Sequence, residues 1–97
     1  MIRNPMLVPV LVTELTKLVQ KFQAIEKKLP GPDGIIQSIR ITLEKLLFAI
    51  VNNQMIPPEV RRGLERSCEV AVRTFEGSSI EDDLFRVKDL LMHYVSK

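Results

Sequence analysis

The stretch at positions 35–51, IIQSIRITLEKLLFAIV, is the most apolar in the chain and constrains the fold more than any other feature. A protein in water has to cover that much hydrocarbon, because exposed apolar surface is unfavourable. Placed on a wheel at 100° per residue, its main apolar residues form one continuous arc: Ile35, Ile36, Ile39, Leu43, Leu46, Leu47, Ile50 and Val51. So wide an arc predicts a central helix that contacts more than one neighbour.

The chain has 97 residues, enough for one hydrophobic core and too few for two, so we predict a single domain. Apolar residues make up 45% of it and charged residues 27%, the usual balance of a globular protein. Cys68 is the only cysteine, which excludes a disulfide framework and fits a reducing compartment. The apolar run near the start is short and is interrupted by Pro9. We therefore predict a cytoplasmic protein without a signal peptide or transmembrane segment.

Apolar residues recur at spacings of three and four in three further segments, which predicts four helices in all. They span about 9–29, 33–51, 57–76 and 79–96. The connections are short and contain proline, glycine or asparagine, and links of this length join antiparallel neighbours. No alternating apolar run indicates a β-strand. The sequence therefore predicts an all-α protein, an antiparallel up-down-up-down four-helix bundle.

Local residues sharpen this prediction at three points. The third helix has small residues where a neighbouring helix is expected to approach closely: Gly63, Ser67, Cys68 and Ala71. Ser78 and Glu81 have the spacing of a capping box at the start of the fourth helix. The second helix is followed by residues that favour turns and tolerate left-handed backbone: Asn52, Asn53 and Gln54. Each feature fits the proposed helix boundaries.

Ile41 and Phe48 break the apolar arc of the central helix, because they lie seven residues apart on its opposite, polar face. More apolar residues than one core requires also precede the first helix: Met1, Ile2, Met6, Leu7 and Val10. An exposed apolar patch is typical of a binding surface. We predict a small protein-interaction module that self-associates around Ile41 and Phe48, since a second copy is the simplest partner. Another protein partner, or cover by the N-terminal segment within the monomer, are the alternatives.

Lys17, Lys21 and Lys28 are the candidate contacts for an anionic partner, either nucleic acid or lipid head groups. They lie on the outer face of the first helix with few acids to compensate them. The net charge of +2 is too small to indicate a dedicated nucleic-acid-binding protein. We therefore expect contact with nucleic acid or a membrane surface to be secondary to protein contact.

The third helix alternates arginine with glutamate at spacings that favour ion pairs along one helix face. The expected pairs are Arg62–Glu65, Arg66–Glu69, Glu69–Arg73 and Arg73–Glu76. The pattern predicts a solvated face rather than a basic surface.

The sequence contains no constellation that indicates catalysis. His93 is the only histidine and has no Glu-x-x-His spacing, so we expect a surface residue rather than a metal ligand or phosphate acceptor. Cys68 faces inward without a histidine to activate it, which predicts a buried thiol with a raised pKa. A phosphate-binding loop and a nucleophile elbow are also lacking. We predict no enzyme activity, no cofactor and no metal.

Residues 35–67, IIQSIRITLEKLLFAIVNNQMIPPEVRRGLERS, combine a helix, a polar turn and a helix that starts at proline. This layout, a third of the chain, resembles the middle of bacteriocin immunity proteins, which are four-helix bundles of about this size. The resemblance implies an immunity-like or antitoxin-like protein that neutralises a toxic peptide. A third hypothesis is an accessory nucleic-acid-binding bundle that uses Lys17, Lys21 and Lys28 with the arginines of the third helix.

Overall fold

Four helices make up most of the computed structural model, which describes residues 2–3, 5–31, 33–74 and 78–96. Helix α1 spans Val8–Lys28, α2 spans Gly34–Val51, α3 spans Pro58–Thr74 and α4 spans Ser79–Tyr94. Each helix packs against the next along the chain, and α1 also packs against α4. The protein is therefore an all-α four-helix bundle, as the sequence predicts.

The apolar arc of α2 lies at the centre of the core. Its buried members are Ile36, Ile39, Leu43, Leu46 and Ile50. Leu47 is partly buried against the same core. The prediction was wrong for Ile35 and Val51, which are 55% and 59% exposed. Both residues lie at an edge of the arc and at an end of the helix, so the neighbouring helices do not reach them.

The connections around α2 and α4 use the local chemistry of polar residues. Asp33 caps α2, because its Oδ1 accepts hydrogen bonds from the backbone N–H of Ile35 at 2.9 Å and Ile36 at 3.1 Å. Asn53 has a φ of 52°, the left-handed backbone that asparagine tolerates. The Ser78 hydroxyl accepts a hydrogen bond from the backbone N–H of Glu81 at 3.5 Å, one of the two bonds of the predicted capping box. The second bond is not formed between the described residues, and Glu81 Oε2 is buried without a hydrogen-bond partner among them.

Helices α2 and α3 approach each other closely at Gly63. A Cβ atom at this position would lie 3.1 Å from both Cγ2 and Oγ1 of Thr42. The other small residues that the sequence singled out in α3 are buried: Ser67, Cys68 and Ala71. The prediction that glycine here marks a close helix contact is confirmed, and the neighbour is α2.

The two ends of the chain meet in a short antiparallel β-ribbon that the sequence did not predict. Ile2 pairs with Ser96 and Arg3 with Val95. Helix α4 therefore ends at Tyr94, earlier than the predicted end near residue 96. Strands of two residues are too short for an alternating pattern to reveal. A 3₁₀ turn, Pro5–Leu7, links the first strand to α1 and packs against α1 and α4.

Candidate functional site

Ile41 and Phe48 lie on the outer face of α2, where the sequence places them. The Phe48 side chain is 61% exposed and that of Ile41 is 38% exposed. Because the two residues are seven apart, they fall on one line along the helix. We call this line, with Glu44 and Lys45 beside it, the α2 ridge. It is an apolar strip on a helix whose other apolar face already fills the core.

The N-terminal apolar residues differ in how far they are buried. Leu7 is partly buried and packs against the core, so it belongs to the fold rather than to a free surface. Met6 is 83% exposed and Val10 is 44% exposed. The 3₁₀ turn that contains Met6 lies against α1 and α4, and Ile41 and Phe48 are exposed in its presence. Met1 and the side chain of Ile2 lie outside the part of the chain that the structure describes.

A surface groove adjoins Phe48, between the second half of α2, the following loop and the start of α3. It has a volume of about 490 Å³. The apolar residues that line it are Phe48, Ala49, Met55, Pro57 and Val60. Glu44, Lys45 and Glu59 contribute charged groups to its lining. An apolar cleft with a few charged groups at its edge suits the binding of a side chain or a short segment of another polypeptide.

Met55 is one of the groove residues that the sequence did not single out. It is 70% exposed, although it is a large apolar side chain. Its loop is otherwise polar where it leaves α2, at Asn52, Asn53 and Gln54. A methionine between a polar turn and two prolines lies outside the predicted helices. Its position in the sequence indicates an exposed apolar side chain, because it belongs to no helix face that could pack into the core. Its position beside Phe48, however, depends on the path of the loop.

Arg40 links the α1 side of the ridge to the rest of the bundle. Its Nε donates a hydrogen bond to Glu26 Oε1 of α1 at 2.6 Å, and its guanidinium also donates to Glu44 Oε1. The hydrogen bond to Glu26, with the charges of both carboxylates, raises the pKa of Arg40 and outweighs the opposing effect of desolvation. The Glu44 carboxylate is therefore held on the flank of α2 that faces α1.

Lys45 lies on the other flank of the ridge and differs from Arg40 in its surroundings. It lines a shallow depression of about 310 Å³ together with Ser38 and Thr42, and Thr42 is the residue that faces Gly63 of α3. Within the described residues no carboxylate oxygen lies within 4.0 Å of its amine. The ridge therefore carries an acid towards α1 and an unpaired base towards α3.

Two of the three lysines predicted to meet an anionic partner have acidic neighbours, one of them on α4 and the other on α1 itself. Lys21 Nζ lies 2.5 Å from Asp83 Oδ2 of α4. Lys17 lies 3.9 Å from Glu14, a residue only 9% exposed, which also lies 3.6 Å from Arg86 of α4. Lys28 is exposed at the end of α1. Two of the three lysines therefore belong to ion pairs at or beside the α1–α4 junction.

Three of the four predicted ion pairs of α3 are not formed between the described residues: Arg62–Glu65, Arg66–Glu69 and Glu69–Arg73. Among the described residues no carboxylate lies within 4.0 Å of Arg62, Arg66 or Arg73, and the proposed partner Glu76 lies outside that part of the chain. Exposed pairs gain little over hydration and restrict two long side chains, so the correct spacing does not ensure a bond. The helix face is charged and solvated without being paired.

His93 and Cys68 do not form a reactive site. His93 is exposed at the end of α4, 3.8 Å from Asp89. Cys68 is 2% exposed, and its thiol donates to the Leu84 carbonyl at 3.7 Å. Burial raises the pKa of the Cys68 thiol, as predicted. The described residues include no cluster of three or more side chains able to hold a metal ion.

The fold and this surface define a class: a small four-helix bundle with an apolar ridge and groove on one side. No described helix combines the length and the hydropathy needed to cross a membrane. A scan against protein-family models finds no match, and searches of curated proteins and of solved structures find none either. The functional argument therefore depends on the chemistry of the surface.

Proposed function

We propose that the protein is an interaction module without catalytic activity, and that it self-associates through the α2 ridge. The observation that supports this most directly is Phe48, a large aromatic side chain that is 61% exposed beside an apolar groove. Covering the exposed part of such a side chain stabilises a complex by roughly 2 to 4 kcal/mol. Aromatic residues of this kind often supply a large share of binding energy at protein interfaces.

The charge distribution favours a protein partner over an anionic polymer. Lys21 already has a carboxylate partner in Asp83, and Lys17 has a more distant one in Glu14. A phosphate group that binds these lysines has to displace the acids or bind beside them, and either requirement weakens its attraction to the lysines. The α2 ridge, by contrast, offers apolar surface with few charges, which water solvates poorly and another polypeptide can cover.

The experiment is sedimentation of the wild type, Phe48→Asp and a matched control, Phe85→Asp. Phe85 lies on α4 and is 40% exposed, so the same substitution is made there on another surface. We expect the wild type and Phe85→Asp to associate and Phe48→Asp to be monomeric, with similar circular dichroism for all three. A wild type that stays monomeric at every concentration, or equal association of Phe48→Asp and the wild type, contradicts the proposal.

A toxic peptide is the second candidate partner for the same surface. The groove beside Phe48 lies wholly within residues 35–67, the stretch whose layout resembles bacteriocin immunity proteins. A peptide helix can place an apolar side chain in such a groove. A peptide-sensitive bacterium that expresses the wild type or Phe85→Asp is then expected to survive, and one that expresses Phe48→Asp is expected to die. Death of all three strains contradicts this second function.

A further inference from the structure

The α2 ridge has a charge pattern that bears on how two copies can meet. Ile41 and Phe48 form its apolar line, and Glu44 and Lys45 lie between them in sequence. At 100° per residue, Glu44 and Lys45 fall on opposite sides of that line. The contacts agree, because Glu44 bonds to Arg40 on the α1 side and Lys45 lines a depression with Thr42 on the α3 side. Each copy thus presents an apolar strip with an acid on one flank and a base on the other.

Two symmetric arrangements can bring two such ridges together, and they pair the flanks differently. If the two-fold axis runs parallel to α2, the α1 flank of one copy faces the α3 flank of the other, as in a parallel coiled coil. Lys45 then meets Glu44 of the second copy, and this contact occurs twice. If the axis runs across α2, the helices are antiparallel and each flank faces itself. Lys45 then faces Lys45 and Glu44 faces Glu44, which is repulsive.

The groove is compatible with the parallel arrangement. In a parallel pair each residue lies level with its own counterpart, so Phe48 of one copy reaches the level of Phe48 in the other. At that level lies the groove of about 490 Å³ with Ala49, Met55 and Val60 in its lining. Ile41 packs against Ile41 two turns away. Apolar groups therefore meet apolar groups in the arrangement that also pairs opposite charges.

The size of the bundle is sufficient for this contact. The molecule measures 42 × 24 × 22 Å, so a long face is large enough to supply the roughly 800 Å² per partner of a standard interface. Glu44 can take part while it stays bonded to Arg40, because a carboxylate has about four acceptor positions. Lys45 has no carboxylate to leave among the described residues.

We propose that a second copy of this chain docks on the α2 ridge with the two α2 helices parallel, Phe48 against Phe48, and Lys45 paired with Glu44 of the other copy on both flanks. This inference rests on the proposed function, because it takes self-association through the ridge as given. It adds the orientation of the two copies and assigns Glu44 and Lys45 as the residues that determine it. Exposed ion pairs contribute modest energy, so their role here is mainly to select one orientation.

The test is a charge swap measured by sedimentation equilibrium. Lys45→Glu places an acid against Glu44 of the second copy, and Glu44→Lys places two bases together. We expect each single variant to weaken the dimer by about tenfold, which corresponds to about 1.4 kcal/mol. The double variant Glu44→Lys/Lys45→Glu restores opposite charges and is expected to return to within about threefold of the wild type. Lys28→Glu is the control for Lys45→Glu, because it makes the same change in net charge on exposed α1 surface.

The outcomes separate this inference from the proposed function. Weakened single variants with a restored double variant support the parallel arrangement. If Phe48→Asp abolishes the dimer but Lys45→Glu leaves its affinity unchanged or tighter, self-association through the ridge stands and the parallel arrangement is overturned. If the wild type is monomeric, or Phe48→Asp still dimerises, both proposals are overturned. Thermal unfolding of each variant in a Phe48→Asp background checks that the charge changes leave the monomer folded.

Discussion

Two junctions of this bundle hold neighbouring helices together by different means. At the α1–α4 junction, charged side chains cross from one helix to the other: Lys21 pairs with Asp83 at 2.5 Å, and Glu14 lies 3.6 Å from Arg86. At the α2–α3 junction no ion pair crosses between the described residues. The helices there are close instead, with Gly63 against Thr42.

The difference indicates where a partner is expected. Charges that are paired within the monomer are less available to another molecule, because a partner has to replace bonds that already exist. On the α2–α3 side no carboxylate oxygen of the described residues lies within 4.0 Å of the Lys45 amine. Phe48 and Met55 are 61% and 70% exposed around one groove there. A surface with apolar groups and an unpaired base can gain both burial and ion pairs by binding. The α1–α4 side is better suited to face water.

The largest expected effect tests whether the two sides share one core. Leu43 of α2 and Leu84 of α4 are both 0% exposed. Leu43→Ala and Leu84→Ala should each lower the free energy of unfolding by about 2 to 5 kcal/mol, because each leaves a cavity. The measurement is urea unfolding in a Phe48→Asp background, so that association does not add to stability. If Leu43→Ala lowers the free energy of unfolding by less than about 1 kcal/mol while Leu84→Ala lowers it as expected, α2 is loosely packed. The outer face of α2 would then not be a fixed surface, and it could not be compared with the α1–α4 side.

The core was predictable from sequence because its signal is repeated along each helix. Spacings of three and four placed Leu11, Leu15, Leu18 and Phe22 inward, and all are 0% exposed. The method failed where a residue lay at an edge of the apolar arc, as at Ile35 and Val51. Their burial depends on how far a neighbouring helix extends along α2. A helical wheel drawn for one helix gives no information about that length. The ribbon between Ile2–Arg3 and Val95–Ser96 depends on the meeting of the chain ends in space.

The second prediction concerns the close approach that distinguishes the α2–α3 junction. Gly63→Val should lower the free energy of unfolding by about 1 to 3 kcal/mol, because the added methyl groups have no room beside Thr42. Replacing Thr42 with alanine in the same chain should recover part of that loss. Gly34→Val is the control, since a Cβ atom there would meet nothing within 4 Å. Equal effects of the two valine substitutions, measured by urea unfolding, would show that the helices are not held closely at Gly63.

The candidate site was only half predictable from sequence. Ile41 and Phe48 were found because they are apolar on a polar face, a property of one helix alone. Met55, Pro57 and Val60 join Phe48 in the groove through the path of a loop, which has no periodic signal. The partner of Lys21 lies on α4, so a reading of α1 alone overestimated its free positive charge. The face on which a residue lies is visible in the sequence, whereas contacts between helices require the fold.

The third prediction sharpens the electrostatic side of the comparison. A double-mutant cycle of Lys21→Ala and Asp83→Ala should give a coupling of about 0.5 to 1 kcal/mol in the free energy of unfolding, decreasing as salt is added. Lys45→Ala, again in the Phe48→Asp background, should change stability by less than about 0.5 kcal/mol, because Lys45 has no acidic partner to lose. If Lys45→Ala lowers the free energy of unfolding more than Lys21→Ala does, the assignment of paired charges to the α1–α4 side and an unpaired charge to the α2–α3 side is wrong.

The last prediction tests how α3 is held, since no ion pair joins it to a neighbouring helix among the described residues. The Cys68 thiol is buried and donates to the Leu84 carbonyl of α4 at 3.7 Å, and burial raises its pKa above the ordinary value of 9.0. An unfolded chain therefore loses the thiol proton at a lower pH than the folded chain. Stability from this group is fully present below the unfolded pKa and declines as pH rises from there towards the folded pKa, by at most about 1.4 kcal/mol per pH unit.

The measurement compares the free energy of unfolding of the wild type with that of Cys68→Ala between about pH 7 and pH 10.5. Tyrosine and lysine titrate in the same range in both proteins, so the difference between the two curves isolates the thiol. We expect the advantage of the wild type over Cys68→Ala to be constant near neutral pH and to shrink in the alkaline range. A difference that does not change with pH would mean that the thiol ionises as readily in the folded protein as in the unfolded chain. The contact between α3 and α4 at Cys68 would then admit water, and close packing would no longer explain how α3 is held without crossing ion pairs.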